Sequence, residues 1–120
     1  MDRRHRLGTW GEDLALGFLT GCGYRLLDRR YRRAGGEIDL VVERAGLTIF
    51  VEVKTRGPGA LDDPAAWVDR RKLSRMRRLA GRWLAENPAR GRRGCRFDVV
   101  AIHWRGFDGG ASLEHLAGVE

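Results

Sequence analysis

Cysteine is scarce in this 120-residue sequence: Cys22 and Cys95 form neither a disulfide framework nor a C-x-x-C metal site. Both read as buried thiols of a protein kept in a reducing compartment. No apolar run approaches the ~20 residues that a membrane span needs. The basic start from Met1 to Leu7 leads into no apolar signal core, so a cytoplasmic protein is expected rather than a secreted one. No repeat, low-complexity tract or linker divides the chain, so one domain over residues 1–120 is expected. His5, His103 and His115 have no ligand-like spacing with one another or with a cysteine. No Ser/His/Asp set and no phosphate-cradling glycine loop appears. Lysine is nearly missing too, since 21 of the 23 basic residues are arginine, a bias that GC-rich codon usage explains.

What remains is an ordinary globular balance, 42% hydrophobic and 32% charged, with a net charge of +7. That charge is clustered. Between Arg70 and Arg96 stand eleven basic residues against one acid, Glu86, a balance of +10 that leaves −3 for the rest. Codon usage accounts for arginine over lysine but not for the clustering. A basic block on a slightly acidic body points to a polyanion, and among polyanions to nucleic acid.

The spacing predicts a first helix from about Trp10 to Cys22. Its apolar stripe is Leu7, Trp10, Leu14 and Phe18, with Ala15 and Leu19 beside it. Thr9 with Glu12 fits a capping box, and Gly21 and Gly23 supply stop signals. Tyr24 to Tyr31 reads as a strand. Two stronger strands follow, Ile38–Glu43 and Leu47–Lys54, joined near Arg44-Ala45-Gly46. A Gly/Pro/Asp loop from Arg56 to Ala66 leads to a second helix, with Asp63-Pro64 as its candidate cap. That helix sets Leu73, Met76, Ala80, Trp83 and Leu84 on one side and Arg71, Arg75, Arg78 and Arg82 on another, and ends at Asn87-Pro88. Arg96 to Trp104 is a last strand, with a short edge strand around Leu113 to Leu116. The order α-β-β-β-α-β gives an α/β domain, a mixed sheet flanked by helices.

A turn centred between Ala45 and Gly46 pairs Glu43 with Thr48, Val41 with Phe50 and Asp39 with Glu52, whereas a three-residue loop with a bulge would shift the register locally and keep the alternation. The opposite face, Ile38, Leu40, Val42, Leu47, Ile49, Val51 and Val53, is wholly aliphatic and therefore core. Asp39 and Glu52 facing each other, with Cβ atoms ~5 Å apart, repel unless a cation sits between them. A hard divalent ion such as Mg²⁺ suits two such carboxylates. Lys54, two residues beyond Glu52 on the same face, is placed to orient water or to stabilise charge growing on a phosphate. The same alternation also describes a solvated sheet face with a weak salt bridge. Glu37 reads as a structural acid, as does Asp98 within its apolar strand. The four tryptophans read as packing residues.

Gly36-Glu37-Ile38-Asp39-Leu40 followed by Phe50-Val51-Glu52-Val53-Lys54-Thr55-Arg56 resembles the signature of a small bacterial family, the YraN-type proteins. That family is placed by similarity in the PD-(D/E)XK nuclease superfamily, near archaeal Holliday-junction resolvases. Gly11-Glu12 with Ala15, Lys72 with Ala80, and Arg96-Phe97-Asp98-Val99-Val100 match as well, so the resemblance runs from about Gly8 to Ile102. It departs at Arg30, where the family commonly has Asn.

The resemblance implies a restriction-endonuclease-like core with divalent-metal-dependent cleavage of phosphodiesters, and the expected substrate is DNA, with branched or flapped DNA as candidates. By motif position Asp39 and Glu52 become the ligands of Mg²⁺ or Mn²⁺, Lys54 the catalytic lysine, and Glu12 the helix acid that often completes such sites. Glu12 fits that role and the capping box equally. Arg56, Arg71, Lys72, Arg75, Arg78 and Arg82 would hold the DNA backbone without reading sequence. Resolvases act as dimers on two symmetric strands, so the resemblance admits a homodimer. Two other readings stay open: a binding module that keeps the fold and basic helix without catalysis, and a protein-interaction factor whose arginine helix meets an acidic partner.

Overall fold

The computed structural model describes residues 3–60 and 63–119. Its elements are α1 (Arg3–Gly21), β1 (Arg25–Arg33), β2 (Gly36–Arg44), β3 (Leu47–Arg56), a 3-10 turn (Pro64–Trp67), α2 (Arg70–Glu86), β4 (Cys95–Trp104) and β5 (Ala111–Leu116). The five strands form one sheet in sequence order, antiparallel except for the parallel β3–β4 pair that the α2 crossover makes necessary. This is the α/β architecture expected from the sequence, extended by β5, and it is consistent with a restriction-endonuclease-like core. Among the described residues no helix is long and apolar enough to cross a membrane.

The β2–β3 register is the one read from the sequence, from Arg44↔Leu47 through Val41↔Phe50 to Leu40↔Val51. Ala45 and Gly46 turn the chain with φ of 53° and 82°, the left-handed pair of a two-residue hairpin loop. Both faces of the sheet are covered. α2 brings Leu73, Met76, Leu79, Ala80 and Trp83 onto Tyr31, Ile38, Val41 and Phe50. α1 brings Ala15 and Leu19 onto Leu40, Val42, Ile49, Val51, Val100 and Ile102. The face expected to be polar is therefore core as well, and β3 is buried from Thr48 to Glu52.

Several local expectations are corrected. Ile38 packs with Val41 and not with Leu40, so strict alternation fails between them. Arg30, opposite Asp39 by register, has a φ of 54°, and this left-handed residue rotates the strand pair by one face. Helix α1 begins at Arg3, seven residues before Trp10, which places Thr9 and Glu12 inside it and removes the capping box. Its buried line is Gly11, Ala15 and Leu19, whereas Trp10, Leu14 and Phe18 are exposed. Small residues let the helix lie close to the sheet, and the large ones fall outside. The N-cap of α2 is Asp69, whose carboxylate accepts the Arg71 and Lys72 N–H groups at 2.9 and 3.3 Å. Asp63-Pro64 opens the 3-10 turn instead. Cys22 and Cys95 are exposed, one just past the end of α1 and the other at the start of β4.

Candidate metal centre and its basic rim

The β2–β3 ladder stops at Leu40↔Val51, one step short of Asp39 and Glu52. There the Asp39 side chain takes over: its Oδ2 accepts the Val53 N–H at 2.7 Å. A carboxylate thus fills a ladder position where the two strands part. Burial, and then the neighbouring Glu52 charge, push the Asp39 carboxyl up to about 8, against the pull of the Val53 N–H and Lys72.

Glu52 lies on the α2 side of β3 and is 7% exposed. The Lys72 ammonium, from the first turn of α2, ion-pairs with its Oε1. Its Oε2 is buried and has no hydrogen-bond partner among the described residues. Burial opposes the Lys72 charge, but Glu52 and Asp39 outweigh it and hold the ammonium pKa above its usual value. Lys54 is half-buried in the same cavity, beside Glu52, Trp67, Asp69 and Lys72. Its burial, with Lys72 and Arg56 nearby, lowers its pKa.

On the other side, α1 delivers Glu12. Gly11 makes this approach possible, since a Cβ there would meet Thr55 Oγ1 at 2.0 Å. Glu12, Glu37 and Asp39 each place a carboxylate oxygen within 4.8 Å of the others. Arg30 and Arg29 donate from their Nε atoms to Glu12 Oε1 at 3.0 and 3.5 Å, and Arg32 holds Glu37 Oε2 at 3.0 Å. The structure therefore brings Asp39 and Glu12 together and adds Glu37, while Glu52 neighbours Asp39 outside that group of three and keeps Lys54 and Lys72 beside it. Glu37, two residues before Asp39, shares its strand parity, so spacing alone already allows the two acids one side of β2. Lys72 falls within the arginine stripe by spacing; its place as one of only two lysines is the signal that sets it apart.

The donor set is oxygen only, with an orphaned, buried carboxylate oxygen on Glu52. Such a set suits a hard divalent cation and no soft one. Arg71, Arg75, Arg78 and Arg82 are exposed along the outer face of α2, Arg82 with an ion pair to Glu86 at 3.4 Å. Arg56 ends β3, its guanidinium 5.8 Å from the Trp67 ring centre. The buried Asp98 lies apart from this site. It is bound by Arg96 through two 2.8 Å bonds, by His115 at 2.7 Å and by the Gly118 N–H at 3.0 Å.

Comparison with known proteins places the chain. The model of Uncharacterised protein family UPF0102 matches residues 11–102. A UPF0102 protein of Beutenbergia cavernae is 44% identical over 119 residues, 99% of each chain. One from Clavibacter michiganensis is 46% identical over 104 residues, 87% of each. One from Moorella thermoacetica is 43% identical over 117 residues, 98% of this chain and 92% of its own.

Proposed function

The chain belongs to the UPF0102 family, the YraN family, and from its acidic cleft we propose a divalent-metal-dependent endonuclease that hydrolyses DNA phosphodiesters. The observation that carries this reading is the meeting of Asp39 and Glu52 where β2 and β3 part, with Lys54 two residues on and one Glu52 oxygen left without a partner. Two neighbouring acids repel when both are ionised, and a divalent cation lets both carry charge. Asp39 and Glu52 would hold Mg²⁺ or Mn²⁺. The bound ion supplies Lewis-acid polarisation of a phosphate oxygen and a more acidic water.

The chain's own residues do the rest. Lys54, half-buried and short of solvent, stabilises negative charge growing on the phosphate. Glu12, fixed by Arg29 and Arg30, extends the acidic rim and orients water at its edge. Arg56, Arg71, Arg75, Arg78 and Arg82 hold flanking phosphates as point contacts that read no sequence. Hydrolysis then adds water across one P–O bond and leaves one phosphate and one hydroxyl end.

The test is cleavage of labelled linear, flapped and four-way DNA with Mg²⁺, Mn²⁺ or EDTA, wild type beside Asp39→Asn. Metal-dependent cutting lost in the variant supports the nuclease, and the preferred substrate names its branch class. Salt-sensitive binding without cutting in any metal would replace it with a non-catalytic nucleic-acid-binding module.

A further inference from the structure

Two lysines stand among 21 arginines in this chain, and both, Lys54 and Lys72, line one cavity with Glu52 and Asp69. Codon usage that favours arginine acts on these two positions as on the others, so the exceptions ask for a chemical reason. An ammonium is a compact point charge on a flexible stem, whereas a guanidinium is a planar fork that locks onto a carboxylate through two bonds. An ammonium can let go.

Lys72 is placed to do so. Its backbone is fixed, because its N–H caps onto Asp69 at 3.3 Å in the first turn of α2. Its side chain is 42% exposed, although the side chain of its ion-pair partner Glu52 is only 9% exposed. The Lys72 side chain therefore reaches solvent, while the Glu52 carboxylate oxygens are buried. Beside Glu52 this ammonium is the counter-charge that a buried carboxylate requires. A divalent ion entering on Glu52 meets a cation already there.

We propose that Lys72 is a resident counter-cation that a divalent ion displaces from Glu52, so that Lys72 sets the metal affinity of the cleft. Once released, its ammonium lies beside Arg71 on the turn of α2 that faces a bound phosphate backbone, and metal entry adds a phosphate contact. This makes Lys72 a positioning residue that links metal binding to DNA binding. The inference rests on the reading of the cleft as a divalent-cation site.

With two lysines, ¹³C labelling of their ε carbons gives two signals from the full chain, assigned by the one missing in Lys72→Met. On titration with Mg²⁺ the Lys72 signal is expected to move and to saturate along the metal-binding isotherm. In calorimetry at pH 8.5, Lys72→Met is expected to bind Mn²⁺ about tenfold more tightly than wild type, within the usual range of coupling between sites. Metal binding by the wild type with an unmoved Lys72 signal overturns the displacement and leaves the metal site standing. So does equal or weaker Mn²⁺ binding by Lys72→Met. Absence of Mg²⁺ and Mn²⁺ binding in both proteins overturns the cation site and this inference with it. Should Lys72→Met fail to fold, Lys72→Arg assigns the signal and the wild-type titration decides.

Discussion

The Asp39 carboxylate accepts the Val53 N–H at 2.7 Å, so the same acid completes the backbone pairing of β3 and faces Glu52 across the cleft. These two duties separate by substitution. Asp39→Asn keeps an oxygen acceptor for Val53 and removes the charge, whereas Asp39→Ala removes both. Cleavage should fall to background in each. Above about pH 8, where Asp39 is ionised, DNA binding should be retained or tightened in each, since a negative charge near phosphate is gone. Urea denaturation should rank Asn above Ala by about 1–3 kcal/mol, the cost of an orphaned buried N–H. Equal stability of the two variants would show that the Val53 bond carries no weight.

The metal-free protein should lose stability as pH rises from about 4 to about 8. Asp39 has an ordinary value of 3.8 and is pushed up to about 8 when folded, by burial and then by Glu52. It binds its proton more tightly in the folded chain, so its favourable contribution is complete below the unfolded value and lost as pH passes the folded one. The wild type should show this slope in thermal melts with EDTA, and Asp39→Asn should lack it. Because a metal ligand must give up its proton, Mg²⁺ affinity should climb over the same window and level off above it. Parallel pH profiles for the two proteins in EDTA would rule out Asp39 as the titrating group.

Much of this is legible in the sequence because hairpin chemistry is local. Ala45-Gly46 sets the turn, the turn sets the register, and the register puts Asp39 one step from Glu52. The amphipathic face of α2 is equally plain, since Leu73, Met76, Ala80 and Trp83 repeat at helical spacing. The failures are tertiary in origin. The stripe Trp10-Leu14-Phe18 is a good apolar face by period alone, but closeness to β3 selects the small residues Gly11 and Ala15 for the interface. Arg30 offers no propensity for a left-handed conformation, so nothing local announces the parity change between Ile38 and Leu40. Lys72 lies in an arginine run, and only the crossover brings that turn of α2 over Glu52.

Gly11 should tolerate no side chain. An alanine Cβ would sit 2.0 Å from Thr55 Oγ1, 3.1 Å from its Cβ and 3.2 Å from its Cγ2. Alanine gains up to ~1 kcal/mol in helix propensity over glycine, yet the clash should leave Gly11→Ala about 1–3 kcal/mol less stable by chemical denaturation. The displaced helix would carry Glu12 away from Asp39, lowering cleavage further than stability alone predicts. Combining it with Thr55→Ala removes the two outer atoms and should recover part of both losses. A double-mutant cycle with no coupling would place the α1–β3 contact elsewhere.

The outer face of α2 should act on DNA through charge alone. Arg71, Arg75 and Arg78 are exposed and follow one another along the helix, while Arg82 is held by Glu86. Each arginine that neutralises a phosphate releases counterions, which steepens the fall of affinity with salt by about 0.9 in the log–log slope. Replacing Arg71, Arg75 and Arg78 by Gln should therefore flatten that slope by roughly 0.9 for each phosphate no longer neutralised, alike for every DNA sequence. Stability should stay within about 0.5 kcal/mol of wild type, because these side chains cover no core. Fluorescence anisotropy on one duplex at several salt concentrations measures the slope. An unchanged slope with intact cleavage would mean that the phosphates lie on another surface, while Asp39, Glu52 and Lys54 would keep their roles.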